Sequence, residues 1–319
     1  MSRLPAPLDA VPFPAIGSPM FIISTPRLVI AQCKAGIVGS MPALNARAHG
    51  LLDEWLAEIT ESLDSHNRAN PDRPAAPFAI NQIVHRSNVR LQRDMELCCK
   101  YKVPIIITSL GAQVEINDAA HSYGGIVLHD VINNSFAKKA IGKGADGLIA
   151  VAAGAGGHAG TTSPFALIQE IRAWFDGPLA LSGAIATGDA ILAAQAAGAD
   201  FAYIGSAFIA TEEAQASASY KQAIVEASSE GIIYTNAFTG VHGNYLASSV
   251  IAAGLDPHHL PEAEPGKMNF GGDTAAKVWK DIWGCGQGIG AVEQVHSAAN
   301  LVDQLKRQYG DARKRLQLG

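Results

Sequence analysis

Three glycine-rich segments in the second half of the chain have the composition of phosphate-binding loops. They are GAGGHAG at 154–160, SGAIATG at 182–188 and GSAF at 205–208, and each follows a short apolar run. Glycine lets backbone N–H groups approach a phosphate closely, and the positive end of a following helix dipole adds to the attraction. The last two segments lead into helices that are expected to start near Thr187 and Thr211.

These last two segments predict a phosphate site built by Ser182, Gly183, Ala184, Gly205 and Ser206. The alternative is that their small residues only pack tight turns. Two loops of the same kind after consecutive strands favour the phosphate.

His158 stands in the middle of the first glycine-rich segment and is our candidate catalytic residue. Its neighbours lack side chains, which leaves the imidazole room to meet a ligand. An uncharged histidine can take a proton from carbon or donate one near neutral pH. The alternative is a structural histidine satisfied by its surroundings.

Several other motifs carry no predicted chemistry. Gly154, Gly156 and Ala159 fit a loose G-x-G-x-x-A pattern, but it follows the sixth apolar run, whereas a dinucleotide fold places it after the first strand. His258 and His259 have no partners at metal-ligand spacing, so we predict no metal site. The four cysteines form no C-x-x-C pair, which fits a reducing compartment.

Eight short apolar runs separated by helical stretches must position these loops. The runs centre near Met20, Val38, Ala79, Ile106, Val127, Ile149, Ala180 and Tyr203. Apolar residues recur with helical period over 50–63, 87–101, 135–144, 163–175, 187–198 and 211–227. Continuously apolar strands indicate a buried parallel sheet, and eight βα units are the number that closes a (β/α)8 TIM barrel. An open doubly wound sheet is the alternative.

In such a barrel the active site lies at the carboxyl ends of the strands. The polar residues found there are Asn81 and Gln82 after the third run, Ser109 after the fourth, and His129 and Asp130 after the fifth. We expect this end of the barrel to hold the ligand.

The regular pattern stops near residue 231. We therefore predict a barrel over 1–230 and a C-terminal helical and loop cap over 231–319 that packs on it. A last helix is expected over 292–309, and a mobile loop over 262–266.

Composition points to a small-molecule enzyme of the cytoplasm. The 319 residues carry a net charge of −5 and no Lys/Arg-rich run, so we expect no nucleic-acid partner. No apolar run approaches the roughly 18 residues of a membrane span. The N-terminus is broken by prolines and does not read as a signal peptide. A homodimer is the assembly that we expect.

The chain resembles the nitronate monooxygenase family, formerly called 2-nitropropane dioxygenases, which are barrel flavoproteins that bind FMN. The resemblance covers nearly the whole chain. It rests on Pro19-Met20, Asn81, the AGGH of 155–158, the block from Ser182 to Ala214, and WGCGQGIG at 283–290.

The resemblance implies roles for individual residues. The FMN phosphate would be held by the backbone of Ser182, Gly183, Ala184, Gly205 and Ser206, where the glycine-rich loops already predict a phosphate. Further flavin contacts would come from Pro19, Met20, Asn81, Lys138, Gly156 and Gly157. His158 would face the substrate above the ring.

The chain also departs from the family pattern. Members commonly read Q-x-x-E-A-G-G-H-R-G where this chain reads VAAGAGGHAG, and A-G-G-I where it has Ser182 to Ile185. These changes leave backbone phosphate binding intact and remove charged groups near the substrate.

The implied activity is FMN-dependent oxidation of alkyl nitronates or nitroalkanes with O2. One alternative keeps the fold and FMN but takes electrons from NAD(P)H to reduce quinones or enoyl thioesters. The other is a phosphate-ligand binding barrel without turnover.

Overall fold

The computed structural model describes residues 4–263 and 281–317, and its centre is an eight-stranded parallel barrel. The strands are β1 (Ala15–Gly17), β2 (Gly39–Pro42), β3 (Phe78–Ile83), β4 (Ile105–Ser109), β5 (Ile126–Val131), β6 (Gly147–Val151), β8 (Leu179–Ser182) and β9 (Phe201–Ile204). They pair in the order β1-β9-β8-β6-β5-β4-β3-β2. A parallel bridge between Ile16 and Val38 joins the two ends. The prediction of a (β/α)8 TIM barrel is confirmed.

Branched apolar side chains fill the barrel interior. The same side chains give the strands their continuously apolar sequences. Ile16, Val38, Ile105, Ile107 and Ile149 are fully buried in one cluster inside the barrel. Because the strands are also covered by helices on the outside, both faces are apolar, as expected for a parallel sheet.

The first strand was predicted near Met20 and lies earlier, at Ala15–Gly17. The apolar run after Pro19 forms a turn, in which the N–H groups of Ile23 and Ser24 both donate to the carbonyl oxygen of Met20. Ile22 adopts a φ of 69° in this turn. Met20 therefore follows the strand and lies at its carboxyl end.

Ten helices surround the barrel and its extension among the described residues. They are α1 (Pro26–Ala35), α2 (Leu51–Ala69), α3 (Leu91–Lys100), α4 (Val114–His121), α5 (Asn134–Gly142), α6 (Pro164–Arg172), α7 (Gly188–Ala197), α8 (Ser206–Ile209), α9 (Ala218–Glu226) and α10 (Ala247–Ala252). An eleventh, α11, spans Ala298–Arg315. All six helices predicted from periodicity are present, and α1, α4, α8 and α10 were not predicted. No described helix has the length and apolar character needed to cross a membrane.

The last helix, α11, completes the ring of helices around the barrel. It starts and ends six residues later than the predicted 292–309. It packs between α1 and α7, where Lys306 Nζ donates to the carbonyl oxygen of Ala35 (2.7 Å) and Gln308 Oε1 accepts from the N–H of Gly188 (2.9 Å). The domain boundary at residue 230 stays a prediction. Of the loop expected over 262–266, residues 264–266 lie outside the described residues.

Gly188 allows α7 and α11 to pack backbone to backbone. A Cβ at this position would overlap the N–H of Tyr309 and the carbonyl oxygen of Leu305. We expect Gly188→Ala to lower the free energy of unfolding by about 3 kcal/mol, as for overpacking in a core. Thermal denaturation followed by circular dichroism measures this loss.

The matched control is Gly310→Ala in α11 itself, where a Cβ meets nothing within 4 Å. Because alanine favours a helix interior over glycine by up to about 1 kcal/mol, this variant should be as stable as the wild type or more so. Equal destabilisation by both substitutions would contradict the packing argument.

The extension after α9 returns to the barrel as a small antiparallel sheet. Its strands are β10 (Ile232–Thr235), β11 (Gly243–Leu246) and β7 (Gly157–His158), in the order β10-β11-β7. The short strand β7 belongs to the first glycine-rich segment, so the extension holds that loop in place.

Candidate active site

A large cavity opens at the carboxyl ends of the barrel strands. Its volume is about 1280 Å³, above the 300–1,000 Å³ typical of ligand pockets. Nine of the predicted site residues line it: Pro19, Met20, Asn81, Gly156, Gly157, His158, Ser182, Gly205 and Ser206.

A second, narrow pocket of about 20 Å³ continues this cavity. The two share Gly156, Ser182, Tyr203, Gly205 and Ser206, and the narrow pocket adds the predicted Gly183 and Ala184. Most of its lining residues are glycine, alanine or serine, so main-chain groups form much of its surface. The structure thus brings together all five residues of the predicted phosphate loops.

The loop after β8 has a main-chain shape that depends on Gly183. Its φ is 144°, and a Cβ there would lie 2.7 Å from the carbonyl oxygen of Ala153. The N–H of Gly183 has no protein partner among the described residues, whereas that of Ala184 donates to the carbonyl oxygen of Gly154 (3.2 Å). Ala184 itself adopts a φ of 55°, a left-handed conformation that favours glycine.

The C-terminal segment closes the narrow pocket from outside the barrel. The N–H of Gly286 donates to Ser206 Oγ (2.7 Å), and the N–H of Gln287 donates to the carbonyl oxygen of Gly154 (2.9 Å). Gly286 and Gly288 line the pocket. Residue-level prediction missed these two glycines, although the WGCGQGIG motif that contains them was visible.

The segments beyond β9 also supply an aromatic wall to the large cavity. The rings of Tyr220 and Trp283 stack with their centroids 4.8 Å apart, and Tyr220 Oη donates to the carbonyl oxygen of Gly284 (2.6 Å). Tyr220, Trp283 and Gly284 all line the cavity. The segments beyond β9 are therefore part of the site.

His158 lines the cavity from β7, which pairs with Gly243 and Asn244 of β11. Its Nε2 lies 2.9 Å from Thr239 Oγ1. The Thr239 hydroxyl also lies within hydrogen-bonding distance of the carbonyl oxygen of Val241 (3.1 Å), so Thr239 ties the ring of His158 to the loop before β11. Burial lowers the pKa of His158 to about 4. The ring is consequently neutral at pH 7.

A polar network at the ends of β3, β4 and β5 lies beside the same cavity. Asn81 Nδ2 donates to Ser109 Oγ (2.7 Å), and Ser109 Oγ donates to Asp130 Oδ2 (2.6 Å). Ser109, His129 and Asp130 line the cavity with Asn81. The sequence places all four residues after apolar runs but predicts a role only for Asn81.

Lys138 is the one predicted site residue that the structure places outside both pockets. It is exposed on α5, and its Nζ lies 5.7 Å from the centroid of the Trp174 ring. The neighbouring Lys139 lines the cavity. Successive residues of a helix point about 100° apart around its axis, so Lys138 and Lys139 face different sides of α5.

Comparison with known proteins agrees with this geometry. The family model described as nitronate monooxygenase matches residues 6–308. A nitronate monooxygenase from Paraburkholderia phytofirmans is 27% identical over 343 aligned residues, covering 95% of this chain and 93% of that protein.

Two solved structures share the fold. A nitroalkane oxidase from Streptomyces ansochromogenes has a TM-score of 0.79 at 22% identity, covering 96% of this chain and 99% of its own. FabK from Thermotoga maritima has a TM-score of 0.76 at 20% identity, with coverage of 97% and 96%. The family match extends over both the barrel and the segments that close its site. The chain therefore belongs to the nitronate monooxygenase family and is a flavin-dependent oxidoreductase.

Proposed function

We propose that this protein oxidises alkyl nitronates with FMN and O2. One observation carries the proposal. A narrow, glycine-lined pocket adjoins a large cavity, and His158 lines that cavity. The main-chain groups around the first suit a flavin phosphate, while the second has the volume for the ring and a small substrate. The family match supports this assignment.

The residues fit FMN. The narrow pocket is small and is bounded by Gly286 and Gly288, as suits a terminal phosphate group. The N–H of Gly183 is available as a phosphate donor, and a side chain at this position would fill the cradle. Pro19, Met20, Asn81, Gly156 and Gly157 would contact the rest of the cofactor, while Lys138 is left out of the proposed set.

When bound, FMN supplies the electron chemistry, taking electrons from the nitronate and passing them to O2. The chain's own contribution is to hold the substrate in a cavity walled by Tyr220 and Trp283. His158 is neutral at pH 7 and its ring is held by Thr239, which makes it the candidate proton acceptor in the cavity.

The lowered pKa of His158 favours nitronates over neutral nitroalkanes as substrates. A base with a pKa of about 4 is weak, and general-base catalysis is most efficient when the pKa of the base lies near the working pH. A preformed nitronate has already lost its α-proton and needs no such base. The homodimer and the cytoplasmic location stay predictions from the sequence.

The test is an anaerobic visible spectrum of the purified protein, with propionate 3-nitronate added to one cuvette and NAD(P)H to another. We expect bound FMN to be bleached by the nitronate and not by NAD(P)H. Bleaching by NAD(P)H alone would replace the proposal with a reductase of quinones or enoyl thioesters. A protein that stays colourless after FMN addition would favour a binding barrel without turnover.

A further inference from the structure

Asp130 places a carboxyl group inside the cavity with one oxygen available to a ligand. It lies in β5, near the carboxyl end, and is accessible only in part. Its Oδ2 accepts from Ser109 Oγ (2.6 Å), and Ser109 is in turn held by Asn81 (2.7 Å). Among the described residues, Oδ1 has no hydrogen-bond partner. The network therefore fixes the orientation of the carboxyl group and leaves Oδ1 for the cavity.

Among the residues that the structure describes, no cation contacts this carboxyl group. Six other titratable side chains of the described chain line the cavity: His129, His158, Tyr203, Tyr220, Lys139 and Asp281. Lys139 and Asp281 are exposed. None of the described ion pairs includes Asp130.

The enclosed neighbours of Asp130 stay neutral across the ordinary pH range. Burial lowers the pKa of His129 to about 4, assisted by the charge of Lys143, and burial lowers that of His158 to about 4. Burial also raises the pKa values of Tyr203 and Tyr220 well above 10. Near neutral pH none of these four groups changes its charge.

Asp130 differs from these four groups. Burial raises the pKa of its carboxyl to about 6, although the hydrogen bond from Ser109 lowers it. It is protonated at pH 5 and ionised at pH 8. The enclosed part of the cavity thus gains one negative charge over this range. In a partly dehydrated site such a charge acts on a nearby group more strongly than it would in water.

We propose that Asp130 sets the charge of the flavin cavity. As a carboxylic acid it donates a hydrogen bond from Oδ1 into the cavity, and as a carboxylate it makes the bound flavin harder to reduce. Reduction brings electrons to the cofactor, from the nitronate in turnover and from dithionite in the test, and a nearby negative charge opposes this. This inference rests on the proposed function in one respect: the protein must bind a flavin.

The test compares flavin midpoint potentials of the wild type and Asp130→Asn, measured by spectroelectrochemical titration at pH 5, 6, 7 and 8. We expect Asp130→Asn to shift the potential upward at pH 8, and to shift it much less at pH 5, where the wild-type carboxyl is already neutral. Plots of potential against pH that run parallel for the two proteins would overturn the inference.

Ser109→Ala provides a second, independent variant. Removing this hydroxyl takes away the one hydrogen bond that favours the carboxylate, so the pH at which the potential changes slope should move upward. This result supports the inference even if Asp130→Asn loses its flavin, and an unmoved slope change counts against it. Asp118→Asn, an exposed change on α4, is the control and should leave every potential as in the wild type.

The outcomes separate this inference from the proposed function. A protein that binds flavin, is bleached by nitronate and shows parallel plots keeps the proposed function and loses the role of Asp130. A flavoprotein bleached only by NAD(P)H loses the proposed substrate, and the potentials still decide the role of Asp130. A protein that takes up no flavin overturns both.

Discussion

Replacing His158 by Asn is expected to lower the turnover of a neutral nitroalkane by about 100-fold, the lower end of the usual contribution of a general base, because a base with a pKa of about 4 is weak. Turnover of the corresponding preformed nitronate should fall by less than about tenfold, because that substrate has no α-proton to lose. Asparagine keeps a hydrogen-bonding group in the cavity and cannot accept the proton.

The measurement is kcat/KM for nitroethane and for ethyl nitronate, taken on the same enzyme preparations with the flavin content of each variant determined. His121→Asn is the matched control, since that histidine pairs with Asp146 (2.8 Å) away from the lining of the cavity. Equal losses on the two substrates would remove the base role and leave His158 a binding residue.

The barrel was predictable because its strands are buried on both faces. Seven of the eight apolar runs mark true strands, since a parallel strand covered on both sides needs an unbroken apolar sequence. The exception lies at Met20, where a Pro-led apolar segment forms a turn after β1. Composition alone does not distinguish a short buried strand from an apolar turn that packs on the same core.

The parts of the site that sequence reasoning missed depend on distant contacts or on side-chain direction. Thr239, which holds the ring of His158, is 81 residues away along the chain. Lys138 and Lys139 are adjacent in sequence, and only the rotation of α5 about its axis decides which of them faces the cavity. Asp130 was visible as a strand-end residue, but its raised pKa follows from burial.

Gly183→Ala is expected to weaken FMN binding by about 10- to 100-fold. The added Cβ would lie 2.7 Å from the carbonyl oxygen of Ala153, and a φ of 144° is one that an L residue rarely adopts. Backbone strain of this kind costs about 1–3 kcal/mol, and each 1.4 kcal/mol is tenfold in affinity. The loop must move to relieve it, which displaces the N–H predicted to meet the phosphate.

Fluorescence titration of the apoprotein with FMN measures this loss, and circular dichroism establishes that the variant is folded. Gly124→Ala is the matched control, because Gly124 also has a positive φ (87°) but a Cβ there meets nothing within 4 Å. It should lose some stability through strain and keep wild-type affinity for FMN. If Gly183→Ala keeps that affinity too, the phosphate does not depend on the loop after β8. The binding site would then have to be sought at Gly205 and Ser206 alone, with the positive φ of Gly183 serving only to turn the chain.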